Sequence, residues 1–204
     1  MEKYDFKKQL KEFYQPKIGQ FSAVDVPSMN FIMIDGHGDP NTSEEYVDAI
    51  ETLYPLAYTI KFMCKKQLQK DFTVMPLEGL WWTNDMNDFS VEDKSNWLWT
   101  AMIMQPDFVT REMFSDAVKQ VVAKKNPRSI AKARFEAYDE GRAAQVMYIG
   151  PYSDEGPTII ELHKFIKKDG GVLSNHSKHH HEIYLGDPRR TDPSKLKTII
   201  RQPY

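Results

Sequence analysis

Phe31-Ile32-Met33-Ile34, closed by Asp35-Gly36-His37-Gly38-Asp39-Pro40, is an apolar run of strand length stopped by a cluster of turn-forming residues. The segment after it reads as a helix. Thr42 and Glu45 form a capping box, and Tyr46, Val47, Ile50, Leu53, Tyr54, Ala57 and Tyr58 recur at helical spacing. Pro55 predicts a kink or a split in that helix. Phe72 to Trp82 then reads as a strand, the polar stretch Asn84 to Asp88 as a turn, and Trp97 to Met104 as the next strand. The order is strand, helix, strand, strand.

The same order returns downstream. Thr110 caps a connecting helix whose stripe is Phe114, Ala117, Val118, Val121 and Val122, ended by Asn126-Pro127. Ala133 to Tyr138 and Ala144 to Ile149, joined by Asp139-Glu140-Gly141-Arg142, read as a hairpin. Gly150-Pro151-Tyr152 breaks the second strand, Pro157 suits the first position of a helix striped by Ile159, Leu162, Phe165 and Ile166, and Gly170-Gly171 stops it. His180 to Leu185 and Leu196 to Arg201 supply the last two strands, with Asp187-Pro188 between them. The prediction is an α+β fold in one domain, 1–204: two fused strand-helix-strand-strand modules, about 22–105 and 131–203, joined by a helix at about 110–125. Their mostly antiparallel sheet carries helices on one face, with a ligand cleft at the pseudo-two-fold seam.

Two carboxylates interrupt otherwise apolar strands: Glu78 in Met75-Pro76-Leu77-Glu78-Gly79-Leu80-Trp81-Trp82, and Glu182 in His180-His181-Glu182-Ile183-Tyr184-Leu185. An ionised carboxylate among aromatic side chains is costly to bury, so it gains a partner, shifts its pKa or faces a cleft. Alternation places Glu78, Leu80 and Trp82 on one face, and His180, Glu182 and Tyr184 on one face. A salt-bridged structural glutamate is the plain reading of either alone; their occurrence in both halves points to a shared cleft.

Composition narrows the classes. The chain has 204 residues, 41% of them hydrophobic, enough for a proper core, and 27 basic against 29 acidic residues with no dense basic stripe, which argues against nucleic-acid binding. Cys64 is the single cysteine, so an intramolecular disulfide is excluded and a cytoplasmic location is expected. No run of about 18 apolar residues marks a membrane span. Trp81, Trp82, Trp97 and Trp99 crowd two strands expected to be neighbours, and some should line the cleft with Met104. Tyr54 and Tyr58, one helical turn apart, are expected to close its opposite side. His176, His179, His180 and His181 lack the spacing of a metal set, and no metal or cofactor is expected. A dinucleotide fingerprint and a Gly-x-Ser-x-Gly element are also missing.

Taken as a set, Ile34 to Pro40, Pro76 to Trp82, Glu140-Gly141 with Gln145, Tyr148-Ile149-Gly150-Pro151-Tyr152 and His180 to Pro188 resemble the GyrI-like small-molecule-binding superfamily, which includes ligand-binding domains of multidrug-sensing transcription activators. The resemblance spans nearly the whole chain. It implies an aromatic cleft around a central acid, carried onto Glu182 and, as first-module counterpart, Glu78. Stand-alone members include enzymes that hydrolyse the strained ring of cyclopropane-bearing alkylating natural products. With no helix-turn-helix domain in this sequence, coupling to DNA is not expected. Tyr148 stands where close relatives are expected to carry histidine.

The implied function is binding of a hydrophobic aromatic small molecule and hydrolysis of a strained electrophilic ring. Glu182 would be the base, Glu78 a carboxylate in a supporting role, and Tyr148 or Tyr152 a donor to the oxygen that gathers charge. A non-catalytic sequestering protein for lipophilic cations, monomeric or homodimeric, would use the same residues.

Overall fold

The computed structural model describes residues 1–84, 93–173 and 179–204. Among the described residues, ten strands and five α-helices run in the order β1 (Glu2–Tyr4), α1 (Phe6–Gln9), α2 (Lys11–Tyr14), β2 (Ser22–Val26), β3 (Met29–His37), α3 (Glu44–Gln67), β4 (Lys70–Phe72), β5 (Leu77–Trp82), β6 (Leu98–Gln105), α4 (Arg111–Lys124), β7 (Arg134–Tyr138), β8 (Gly141–Ile149), α5 (Gly156–Lys168), β9 (His180–Tyr184) and β10 (Lys197–Pro203). Eight strands form a curled antiparallel sheet in the order β2-β8-β10-β9-β5-β6-β3-β7, while β1 and β4 pair in parallel beside it. Among the described residues no helix is long and apolar enough to cross a membrane.

The modules meet at the β5–β9 ladder, where Leu77 pairs with Tyr184, Gly79 with Glu182 and Trp81 with His180. A second junction closes the curl. The expected hairpin of β7 and β8 does not form: β7 pairs with β3 and β8 with β2 and β10. Val26 pairs with Gly141 and Met29 with Tyr138, so the two ladders continue one register through Pro27-Ser28 and Asp139-Glu140. Glu140 explains why the chain does not fold back at this turn. Its carboxylate is buried and bound to Arg201 and His181 beneath the sheet.

Helix α3 covers β3 and β6, and α5 covers β8 and β10, both on one face. Leu162 and Ile166 of α5 pack on Ala144, Val146 and Ile200. The opposite face receives the N-terminal segment, with Phe13 and Tyr14 of α2 buried against it. Three local expectations shift. Ser43 rather than Thr42 caps α3, accepting from the Tyr46 amide at 3.3 Å. The helix runs unbroken through Pro55 for 24 residues. The strand read over Phe72 to Trp82 divides at Thr73 to Pro76 into β4 and β5. Thr110 does cap α4, accepting from the Met113 amide.

Candidate functional site

Directly paired residues of an antiparallel ladder share a face. The β5–β9 register therefore puts Leu77, Gly79 and Trp81 with His180, Glu182 and Tyr184 on the helix-covered face, and Glu78, Leu80 and Trp82 with His181 and Ile183 on the other. Within each strand the expected alternation holds. Between strands the parity is odd, so Glu78 and Glu182 lie on opposite faces, which corrects the expectation of a shared cleft.

Glu182 sits in an aromatic enclosure on the helix-covered face. Tyr184 donates its hydroxyl to Oε2 at 2.7 Å, and His180 Nε2 donates to Oε1 at 3.1 Å. Trp81 Nε1 in turn donates to the Tyr184 hydroxyl at 3.1 Å. Tyr46 of α3 packs on Trp81 and Trp99, at ring-centroid distances of 5.7 and 5.0 Å, and Tyr152 meets Tyr184 edge-on at 5.5 Å. Burial pushes the Glu182 pKa up, but His180, Tyr184 and Lys94 outweigh it and hold the carboxylate below its ordinary value. Its side chain stays 13% exposed, so water can reach it.

A second carboxyl stands against the first. Glu155, in the residue before α5, is 3% exposed and makes no capping bond to its own helix. Its Oε1 and the buried Thr198 hydroxyl make no hydrogen bond of good geometry, although the carboxyl lies against both Thr198 and Glu182, close enough to interact with each. Burial and repulsion from Glu182 push its pKa up to about 9. The two carboxyls thus share one proton at neutral pH, held on Glu155 while Glu182 stays ionised.

The other expected residues distribute unevenly. Tyr152 and Tyr184 line the enclosure, and Tyr54, half-buried on α3, is close enough to influence the Tyr152 hydroxyl. Tyr58, one turn further on, is 48% exposed. Trp97 packs on Trp81 at 5.5 Å, and Trp99 is buried flat over Gly36, where a Cβ would meet the indole at 2.2 Å. Tyr148 lies on the Glu182 face, but its hydroxyl donates to the Pro151 carbonyl at 3.1 Å. Met104 is buried on the opposite face, and Trp82 stacks there on His179 at 4.1 Å. His176 lies outside the described residues.

Glu78 belongs to a separate charge cluster beneath the sheet. It is fully buried, accepting from Tyr14 at 2.8 Å and from His181 Nε2 at 2.9 Å. His181 Nδ1 donates to Glu140 at 2.8 Å, and Arg201 binds Glu140, Gln145 and the Phe13 carbonyl. With a carboxylate at each ring nitrogen, His181 carries both protons, and two cations balance two anions. This cluster clamps the N-terminal segment under the residue next to Glu182.

The sequence reading named Trp81 as one of four indoles of which some should line the cleft, without singling it out, and did not place Tyr46, Lys94 or Glu155 in the site. Ser153-Asp154-Glu155-Gly156 reads only as a polar turn ahead of Pro157; nothing local signals that Glu155 is buried.

An acid at the seam of a two-module curled sheet, walled by aromatic rings, defines a small-molecule-binding domain. The chain belongs to the GyrI-like small-molecule-binding domain family, whose model matches residues 19–204. Two similar solved structures are hydrolases from Listeria innocua. That encoded by lin2189 is 42% identical, with 99% of each chain covered and a TM-score of 0.87; the other is 40% identical, with 98% of each chain covered and a TM-score of 0.82. The C-terminal domain of EcmrR shares the fold at 15% identity, covering 90% of this chain and 96% of that one, with a TM-score of 0.54. No curated protein sequence matches.

Proposed function

We propose that this protein binds an apolar aromatic small molecule at the enclosure around Glu182 and hydrolyses a strained electrophilic ring on it. One observation carries the reading. Glu182 is an ionised carboxylate with both oxygens accepting from fixed donors, inside aromatic walls and still reachable. Such a group stays ionised at neutral pH and is rigid in orientation, so it can hold one water in place and take its proton as the water oxygen bonds to the ring, its lowered pKa making position rather than basicity its contribution. The water oxygen bonds to a cyclopropane carbon, its proton passes to Glu182, and the broken carbon–carbon bond delivers its electron pair through conjugation to a carbonyl oxygen, which takes up a proton. The similarity at 40–42% identity to proteins described as hydrolases supports turnover.

The same ionised acid among rings favours a second reading, non-catalytic capture of a lipophilic cation through charge and cation–π contacts. Turnover separates the two. A spirocyclopropyl cyclohexadienone, incubated with substoichiometric protein and followed by mass spectrometry, should give many equivalents of the ring-opened phenol alcohol. Saturable binding without product would leave the cation-binding reading.

A further inference from the structure

We propose that Glu155 is the proton donor of this site, giving its proton to the ligand oxygen on which negative charge collects. The inference rests on the ring-opening reading above and names a residue and a ligand requirement beyond it: the strained ring must be conjugated to a hydrogen-bond-accepting oxygen.

The argument begins with placement. A carboxyl at the start of a helix ordinarily turns back to cap it, and the helix dipole favours its anion. Glu155 does neither. Its side chain makes no capping bond, and Pro157 removes one of the amides that would receive it. The carboxyl turns instead toward the sheet, against Glu182 and the Thr198 hydroxyl, and Glu155 Oε1 and Thr198 Oγ1 are both left without a hydrogen bond of good geometry. Two unsatisfied polar atoms nine-tenths buried, next to a fixed carboxylate, make a place for a polar ligand atom.

The groups that face Glu155 come from every neighbouring element: Glu182 and Tyr184 on β9, Tyr148 on β8, Tyr152 in the preceding turn, and Lys94 ahead of β6. Among the described residues, Lys94 favours the anion by charge. The tyrosines are poorer donors: Tyr148 spends its proton on Pro151, and burial with Glu155 and Glu182 pushes Tyr152 up to about 12, against about 9 for Glu155. A donor near 9 is closer to a phenol in acidity.

The proton balance closes within the pair. Water gives one proton to Glu182 as its oxygen bonds to the ring carbon, the breaking carbon–carbon bond sends its electrons to the carbonyl oxygen, and Glu155 protonates that oxygen. Transfer of the proton from Glu182 to Glu155 restores the starting state, so substrate and one water yield the ring-opened phenol alcohol with nothing else consumed.

The test uses a spirocyclopropyl cyclohexadienone with wild type, Glu155→Gln and Glu182→Gln across pH 6 to 10. Expected for wild type is turnover that falls as pH rises through about 9. Glu155→Gln, the same shape as the neutral acid, should lose about 10²-fold in kcat with KM little changed, and its alkaline limb should vanish. Wild-type turnover with an undiminished rate in Glu155→Gln, or a wild-type profile flat through pH 10, overturns the role of Glu155 alone. Absence of turnover in wild type overturns the ring-opening reading and the donor role with it. Should Glu155→Gln fail to fold, the wild-type alkaline limb still decides when a melting curve at each pH shows the protein folded: a fall in turnover through about 9 without unfolding supports Glu155, and a fall that only tracks the unfolding expected from His181 overturns its role.

Discussion

Gly79 lies directly across the module-joining ladder from Glu182, and the indole of Trp81 fills the space a side chain there would take. A Cβ on Gly79 would meet Trp81 Nε1 at 2.7 Å, the same atom that donates to the Tyr184 hydroxyl on Glu182. The glycine thus permits the first link of a chain that runs Trp81 to Tyr184 to Glu182.

Gly79→Ala should push Trp81 away and break that link. Overpacking of this kind costs about 1–3 kcal/mol, seen as a lower urea midpoint. Tyr184 would then orient Glu182 less firmly, so kcat should fall more than KM rises. Unchanged stability and kinetics would show that Trp81 has room to move and orients nothing.

Glu182→Gln and Glu78→Gln should part company. The first removes the anion that repels Glu155, so turnover should be lost with the melting temperature unchanged or raised. Glu78→Gln leaves the buried His181 cation facing an amide, and breaking such a pair costs about 3 kcal/mol or more. Its activity per folded molecule, measured below the melting transition, should drop less than that of Glu182→Gln. A stable Glu78→Gln protein without activity would move the principal carboxylate to the other face of the sheet.

Stability should depend on pH from both sides. Burial lowers the His181 pKa, but Glu140 and Glu78 overcome this and raise it to about 9 from 6.5. The folded state therefore holds this proton more tightly, a contribution present in full below pH 6.5 and lost as pH rises through 9. For Glu140, burial is outweighed by His181 and Arg201 and the pKa falls from 4.5 to about 2; that contribution is present above 4.5 and lost as pH falls toward 2. Glu155 adds a loss of its own as pH rises from 4.5 to about 9. Glu155→Gln should remove that overlapping slope and be more stable than wild type at pH 8. Calorimetry of Glu155→Gln that shows a level melting temperature from pH 6 to 10 would mean that His181 is not charged in the fold.

A planar aromatic ligand at Glu182 should quench tryptophan emission and bind with a negative heat-capacity change. Trp81, bonded to Tyr184, is the residue expected to respond; Trp82 stacks on His179 across the sheet. Trp81→Phe should abolish most of the quench and cost about 1 kcal/mol of affinity, whereas Trp82→Phe should do neither. The reverse outcome would put the ligand on the Glu78 face.

By itself the sequence determined what depends on neighbours along the chain: the repeated order of strand, helix, strand, strand, the cap at Thr110, the start of α5 to within one residue of Pro157, and the common face of His180, Glu182 and Tyr184. Each follows from backbone sterics or from the two-residue period of a strand. Only the tertiary structure decided how strands far apart in sequence align. A one-residue change in the β5–β9 register would bring Glu78 to the face of Glu182, and no local signal distinguishes the two registers. The same holds for the pairing of β7 with β3 instead of β8, drawn by the burial of Glu140 against Arg201. It holds too for Glu155, whose charge state depends on Glu182 and Lys94, from other parts of the chain, and on burial between α5 and the sheet. Burial and charge coupling belong to the folded arrangement, so the proton shared at the site has no counterpart in the order of residues.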